Sequence, residues 1–248
     1  MTILITGGTK GIGLGIARRL APSHERLILA YHNDETAAAA ARAELAALGA
    51  EVITIPCDVG TVAGVGDLMA RVETLGHGLT HIIHSAAMIY PTGLLSADLA
   101  KFRQAVETNG LSLLYLVHAA QQLLSRGSSI VFISSMGARI PSNNYGALGV
   151  GKALAESIIR YLVAELAPKG IRINGVAPGL VHTTSVAAML GSEEAATAMI
   201  ERGARANPSG RASRDSDYAA LVEFLLSPEA EFIQGQVIAA TGGTGVIG

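Results

Sequence analysis

Tyr145 and Lys152 are the two residues of this sequence whose types and spacing most clearly suggest chemistry. They lie seven residues apart at the start of a helical pattern. Because each helical residue turns by about 100°, seven steps place both side chains on one face, about two turns apart. A phenol titrates near pH ~10, and a cation within ~4–6 Å lowers its pKa toward neutrality. The pair is therefore a candidate proton donor with an adjacent positive charge. A surface tyrosine with a solvated lysine is the alternative.

Seven short apolar runs alternate with helical patterns and must position this pair. Such alternation predicts an α/β fold in which a doubly wound parallel sheet carries helices on both faces. The predicted strands are Thr2–Thr6, Leu27–Tyr31, Glu51–Pro56, Thr80–His84, Ser129–Ser134, Arg172–Val176 and Gln236–Ala240. The predicted helices are Gly11–Leu20, Asp34–Leu48, Val62–Leu75, Leu99–Ser125, Asn144–Leu166 and Ser216–Leu226.

The domain organisation follows from what separates these elements. No linker divides the chain, which predicts a single domain over residues 1–248. The one long irregular connection, Ala177–Asp215, is predicted to be functional, as a partly helical substrate lid at about residues 178–215.

Composition and charge narrow the class of partner. Half of the residues are apolar, 15% are charged and the net charge is −2. This balance argues against nucleic acid and membrane partners and favours a small-molecule substrate. The single cysteine, Cys57, and the absence of a leader or a long apolar run predict a soluble, cytoplasmic protein. His77, His81 and His84 have no carboxylate or cysteine ligand nearby, so no metal site is predicted.

A glycine-rich turn follows the first predicted strand. Its glycines, Gly7, Gly11 and Gly13, have the spacing Gly-x-x-x-Gly-x-Gly. Such a turn lets the backbone approach a pyrophosphate, which then rests on the N-terminus of the next helix. A tight strand–helix connection without a ligand is the alternative. The position of the turn, at the first strand–helix junction, favours dinucleotide binding.

Further motifs follow the glycine turn in chain order. They are Cys57-Asp58-Val59, Asn109, Ile133-Ser134-Ser135, Pro178-Gly179-Leu180-Val181-His182-Thr183, Gln234-Gly235-Gln236-Val237 and Gly242-Gly243. With these motifs on the expected elements, the chain resembles a short-chain dehydrogenase/reductase over essentially its whole length. The resemblance implies a Rossmann-like seven-stranded fold, an NAD(P)H-dependent oxidoreductase, and assembly as a homotetramer or homodimer.

The resemblance also assigns roles to residues. It implies that Tyr145 is the proton donor and that Lys152 anchors the cofactor ribose. Ser135 matches the family's catalytic serine but could instead cap the backbone. Asn109 could hold a water beside Lys152 or simply kink its helix at Asn-Gly. The implied cofactor-binding residues are Gly7, Thr9, Lys10, Gly11, Ile12, Gly13, Tyr31, His32, Asp58, Val59, Ser85, Ala86, Ala87, Lys152, Pro178, Gly179, Val181 and Thr183.

Two positions depart from the usual family pattern. The segment after the fourth strand reads His84-Ser85-Ala86-Ala87, where the family usually has Asn-Asn-Ala-Gly and uses it to brace the backbone. Leu148 stands where the tyrosine usually lies, four residues before the lysine. The Tyr-x6-Lys spacing of Tyr145 and Lys152 is similar to that of enoyl-acyl-carrier-protein reductases. The surrounding sequence is most similar to their third, FabL-type group.

The resemblance therefore implies an NADPH-dependent reductase of the C=C bond of a 2-enoyl thioester, on a carrier protein or as a small molecule, with fatty acid biosynthesis as one setting. A carbonyl reductase acting on a 3-oxoacyl group or another ketone is the alternative, and a non-catalytic NADP-binding sensor is a third. NADPH is expected over NADH because the second strand ends Ala30-Tyr31-His32, without an acid for the ribose hydroxyls. Lys10 and His32 could approach a 2′-phosphate, although Asp34 counts against this.

Four arginines in the connection Ala177–Asp215 are candidates for contact with a partner protein. Arg202, Arg205, Arg211 and Arg214 could meet an acidic carrier protein, although a solvated face is the plainer account.

Overall fold

A computed structural model describes residues 1–23 and 26–245 and places seven strands in one parallel sheet. The strands are β1 (Thr2–Thr6), β2 (Arg26–Tyr31), β3 (Glu51–Pro56), β4 (His81–His84), β5 (Ser129–Ile133), β6 (Arg172–Pro178) and β7 (Val237–Ala240). Their order in the sheet is β3-β2-β1-β4-β5-β6-β7. Successive strands are added on one side of β1 up to β3 and on its other side from β4 onward, so the order of addition switches between β1 and β4. The carboxyl ends of strands at such a switch form the crevice in which open α/β sheets bind ligands.

Five of the six predicted helices are present with bounds that differ by no more than two residues, the sixth is an exception, and two further helices lie in the long connection after β6. The helices are α1 (Gly11–Leu20), α2 (Glu35–Ala47), α3 (Val62–Thr74), α4 (Leu99–Val106), α5 (Ser112–Ala120), α6 (Gly146–Leu166), α7 (Thr184–Leu190), α8 (Glu193–Ala206) and α9 (Asp215–Leu226). The exception is the long helix predicted over Leu99–Ser125. A π-turn at Glu107–Leu111 separates α4 from α5, and α5 already ends at Ala120.

Buried apolar side chains cover both faces of the sheet. On one face Leu4 and Ile28 pack with residues of α3, α5 and α6, such as Ile159. On the other face Ile5 packs with residues of α1, α2 and α9, such as Val222. Strands buried on both sides read as continuous apolar runs, which explains why the sequence lacks alternation there. The predicted doubly wound sheet with helices on both faces is confirmed.

Helix α6 carries the predicted catalytic lysine and begins later than predicted. Tyr145 is its N-cap, and Asn144 before it has φ +57°, a left-handed conformation that non-glycine residues seldom adopt. Helix α6 runs without interruption from Gly146 to Leu166, through Gly149 and Gly151. Glycine is needed there for packing, because a Cβ would lie 2.5 Å from the Gly137 carbonyl oxygen at Gly149 and 2.6 Å from Asn109 Cβ at Gly151.

The connection between β6 and α9 contains the two helices α7 and α8. It is therefore partly helical, and its function as a lid stays a prediction. Across residues 1–23 and 26–245, no helix has both the length and the apolar character needed to cross a bilayer.

Candidate active site

Ser135 and Tyr145 form a hydroxyl pair at the carboxyl end of β5. The Ser135 Oγ lies 2.9 Å from the Tyr145 phenol oxygen. The serine follows β5, and its Oγ accepts a hydrogen bond of 3.1 Å from Gly137 N. A Cβ at Gly137 would lie 2.3 Å from the tyrosine ring, so only glycine at this position leaves room for the ring. The structure thus brings together two of the four predicted catalytic residues.

The electrostatic environment of Tyr145 differs from the prediction. Burial raises the pKa of its phenol, and the hydrogen bond from Ser135 only partly opposes this. The predicted lowering by a neighbouring cation was wrong for this structure, because desolvation of the phenolate dominates. A phenol with a raised pKa keeps its proton at neutral pH. That state suits a proton donor rather than a base.

Lys152 lies inside the protein with only 4% of its surface exposed. Its Nζ donates to the Ile133 carbonyl oxygen at 2.7 Å and lies 4.4 Å from the centre of the Phe132 ring. Burial lowers the pKa of this ammonium to about 7. An ammonium has three donors, and the described part of the chain supplies one acceptor for it. Two N–H groups therefore remain for a ligand, as a ribose anchor would need.

Asn109 sits in the π-turn between α4 and α5 and is fully buried. Its Oδ1 accepts from Met88 N, and its Nδ2 donates to Met88 O, both at 2.9 Å. The side chain therefore braces the segment after β4 by pairing with both backbone groups of one residue. The local break in the helix that the Asn-Gly pair indicated is present as the π-turn. The holding of a water beside Lys152 stays a prediction.

The glycine turn has the shape that a dinucleotide pyrophosphate needs. Gly7 and Gly11 have φ of +64° and +51°. A Cβ on Gly7 would lie 2.8 Å from Ala86 Cα, and one on Gly11 would lie 3.4 Å from the Thr183 methyl carbon. The turn thus faces the segment after β4 on one side and Thr183, which follows β6, on the other. The first turn of α1 carries no acid, which keeps its N-terminus favourable to anions. These residues fit the predicted cofactor.

The remaining predicted cofactor residues lie around this turn. Lys10 Nζ forms an ion pair of 2.8 Å with Asp34, which also caps α2 through a hydrogen bond from Ala37 N. This pairing lowers the pKa of Asp34. His32 is exposed at the end of β2. Lys10 is therefore engaged by the acid that counted against NADPH.

Each other predicted residue has a defined position near a strand end. Asp58 Oδ1 accepts from Gly60 N at 2.9 Å, and Thr183 caps α7 by accepting from Val186 N at 3.2 Å. Ser85 N donates to the Thr6 carbonyl oxygen at 3.1 Å. Buried or half-buried positions hold Thr9, Ile12, Gly13, Tyr31, Val59, Ala86, Pro178, Gly179 and Val181, whereas Ala87 is exposed.

A buried carboxylate beside the site, Glu156, was not predicted from the sequence. Glu156 accepts a hydrogen bond of 2.6 Å from Ser134 Oγ and one of 3.1 Å from Arg139 Nε. It lies one turn after Lys152 on α6, on the buried face of that helix. An acid within the apolar face of a helix is the signal that would have identified it.

Among residues 1–23 and 26–245, no group of three or more His, Cys, Asp or Glu side chains is arranged to hold a metal ion. Burial raises the pKa of the Cys57 thiol to about 12, so it stays protonated and unreactive.

Comparisons with known proteins agree with this architecture. The model of the family described as enoyl-(acyl carrier protein) reductase matches residues 7–245. A tropinone reductase homologue from Arabidopsis thaliana is 34% identical over 253 residues, which cover 100% of this chain and 91% of that relative.

Two solved structures are similar over nearly the whole chain. A short-chain dehydrogenase from Burkholderia cenocepacia in complex with NADP has a TM-score of 0.87 at 27% identity and covers 98% of this chain and 97% of its own. An enoyl-[acyl-carrier-protein] reductase (NADH) from Aquifex aeolicus has a TM-score of 0.88 at 26% identity and covers 100% of this chain and 97% of its own.

Proposed function

The chain belongs to the short-chain dehydrogenase/reductase family of oxidoreductases, and on this premise we propose that it reduces the C=C bond of a 2-enoyl thioester with NADPH. The observation that carries the proposal is the position of the phenol. Tyr145 lies at the N-cap of α6, seven residues before Lys152, while Leu148 is buried at the nearer turn.

The position of the proton donor matters because the two reactions develop charge at different places. When bound, the nicotinamide supplies a hydride, which goes to the carbonyl carbon of a ketone or to the β-carbon of an enoyl thioester. The oxygen that becomes negative is on the attacked carbon of the ketone, but two carbons away in the thioester. Three helical residues rise about 4.5 Å, so a tyrosine placed three residues earlier suits the more distant oxygen.

The hydroxyl pair gives the proton transfer a direction. Because Ser135 Oγ already accepts from Gly137 N, its own hydrogen can be donated to the phenol oxygen. The phenol hydrogen of Tyr145 is then directed to the substrate oxygen. This donation stabilises the enolate as charge develops, and a phenol whose pKa is raised by burial arrives protonated.

Lys152 serves the cofactor in this proposal. Its two remaining N–H groups bind the ribose hydroxyls, and its charge adds to the positive field near the reacting atoms. Gly7, Gly11 and the N-terminus of α1 receive the pyrophosphate. When NADPH binds, Lys10 exchanges its ion pair with Asp34 for one with the 2′-phosphate. Since NADH lacks this phosphate, NADPH is the favoured cofactor. The NADP named for the Burkholderia protein supports this choice, and the NADH named for the Aquifex reductase opposes it.

A carbonyl reductase is the second candidate, and one observation favours it. The hydroxyls of Ser135 and Tyr145 converge within 2.9 Å of each other, an arrangement in which both could donate to one carbonyl oxygen. The likeness to a tropinone reductase homologue points the same way.

Substrate comparison separates the two functions. The purified protein is offered a 2-enoyl thioester and the matching 3-oxoacyl thioester with NADPH, and the acyl products are identified by mass. The proposal requires faster reduction of the enoyl compound. Faster reduction of the oxo compound supports the carbonyl reductase.

A further inference from the structure

His84 is fully buried at the end of β4. Its Nδ1 lies 2.6 Å from Thr6 Oγ1, and its Nε2 lies 2.7 Å from Ser112 Oγ. Thr6 is its direct neighbour in the β1–β4 pairing, and Ser112 begins α5. The imidazole therefore joins the sheet to the helix that follows the π-turn.

The hydrogen-bond partners fix the tautomer of this histidine. Ser112 Oγ is also 2.7 Å from the Thr108 carbonyl oxygen, which can only accept. The serine hydrogen therefore goes to Thr108, and His84 must donate from Nε2 to the serine oxygen. Its Nδ1 is then the acceptor for the Thr6 hydroxyl. Ala86 N extends this series of hydrogen bonds by donating to Thr6 Oγ1 at 3.3 Å.

Both ends of this series of hydrogen bonds lie near the glycine turn or the segment that follows β4. Ala86 is the residue that Gly7 of the glycine turn approaches. Thr108 precedes Asn109, whose amide holds both backbone groups of Met88. The segment of residues 85–88 is thus held at Ala86 through Thr6 and at Met88 through Asn109. His84 is the link between the two attachments.

We propose that His84 is a positioning residue: as a neutral imidazole protonated on Nε2, it ties Thr6 to Ser112 and thereby holds residues 85–88 against the glycine turn. Burial and the charge of Lys152 lower the pKa of His84 to about 3, which keeps the ring neutral at working pH. The inference rests on the proposed function only in requiring a nicotinamide cofactor at the glycine turn. It does not depend on which bond is reduced.

Replacement of His84 by asparagine or by glutamine tests its two hydrogen bonds, called here its Thr6 arm and its Ser112 arm, one at a time. In His84→Asn the amide oxygen takes the approximate place of Nδ1 and accepts from Thr6, but the side chain is too short for Ser112. In His84→Gln the amide nitrogen takes the approximate place of Nε2 and donates to Ser112, but no acceptor faces Thr6. His84→Leu removes both arms. His81→Leu is the matched control, because His81 is a buried histidine at the other end of β4, where Nδ1 accepts from Ser129 N.

The experiment combines cofactor titration with hydrogen–deuterium exchange read by mass spectrometry. With NADPH, and with NADH in parallel, His84→Gln and His84→Leu are expected to weaken binding by about tenfold, and His84→Asn by less than about threefold. In exchange, His84→Asn speeds labelling of residues 107–112, whereas His84→Gln speeds labelling of residues 85–88. His81→Leu lowers the melting temperature without either effect.

Equal exchange patterns in the Asn and Gln variants would overturn the inference, as would a folded His84→Leu protein with wild-type cofactor affinity. If His84→Leu does not fold, Ser112→Ala replaces it, and unchanged labelling of residues 107–112 in that variant counts against the link. If the wild type binds neither dinucleotide, the exchange patterns alone decide. A protein that binds NADPH but reduces no thioester would contradict the proposed function and leave these measurements intact.

Discussion

The Ser135 hydroxyl oxygen lies 2.9 Å from the Tyr145 phenol oxygen, although a strand end holds the serine and a helix N-cap holds the tyrosine. Gly137 contributes to this contact in two ways. Its N–H donates to the serine Oγ, and the absence of a Cβ leaves room for the tyrosine ring. The pair is therefore preorganised by packing. A preorganised donor costs no reorganisation at the moment of reaction.

Replacing Tyr145 by phenylalanine tests the donor. Loss of the hydroxyl should lower kcat by ~10²–10⁴ while the ring still fills its space, so NADPH affinity should stay near wild type. Tyr161→Phe is the matched control, because Tyr161 is on the same helix but 79% exposed. Near wild-type turnover in Tyr145→Phe would exclude the phenol as the donor.

Ser135→Ala tests whether the serine acts through the phenol. Its hydroxyl contributes one hydrogen bond to Tyr145, so kcat should fall by roughly tenfold, less than in Tyr145→Phe. The double variant should be no slower than Tyr145→Phe alone, because in this account Ser135 acts on the substrate only through the phenol. Multiplied losses in the double variant would show that Ser135 contacts the substrate independently.

Much of this arrangement could be predicted from the sequence because it depends on local pattern. Continuous apolar runs gave the strands, and the glycine spacing of Gly7, Gly11 and Gly13 gave the turn. The raised pKa of Tyr145 could not be predicted, since it arises from burial of the phenol in the folded protein. The link through His84 was equally hidden, because Ser112 is an unremarkable helix residue until the fold brings it beside the imidazole.

Lys152 should couple cofactor binding to proton uptake. Its pKa is lowered to about 7 by burial, so much of the lysine is neutral at pH ~8 in the free protein. Ribose hydrogen bonds and cofactor phosphates favour the charged form and raise this pKa. Binding at pH ~8 should therefore take up a proton, and binding at pH ~6, where the lysine is already charged, should not.

Calorimetry in buffers of different ionisation enthalpy measures this uptake. Lys152→Met should abolish it and weaken NADPH binding. Equal proton uptake by the wild type and Lys152→Met at pH ~8 would assign the linkage to another group.

The pair of Lys10 and Asp34 should set the preference between NADPH and NADH. Lys10→Met should lower kcat/KM for NADPH by about tenfold and leave NADH nearly unchanged, since only NADPH carries the 2′-phosphate. Asp34→Asn keeps a residue suited to the N-cap of α2 and releases Lys10, so NADPH affinity should rise. An exposed ion pair is only weakly stabilising, so the gain should not exceed about fivefold. Steady-state kinetics with both cofactors decide the matter, and a wild-type preference for NADH would refute the assignment.

The most direct measurement compares the two thioesters on the wild-type protein. Crotonyl and 3-oxobutanoyl thioesters of the same carrier are reduced with NADPH, kcat/KM is determined for each, and the acyl products are weighed by mass spectrometry. The position of Tyr145, one turn before the buried Leu148, predicts a saturated acyl product and a kcat/KM for the enoyl substrate at least about tenfold higher than for the oxo substrate. Efficient formation of the 3-hydroxyacyl product, with no turnover of any enoyl thioester, would contradict the account.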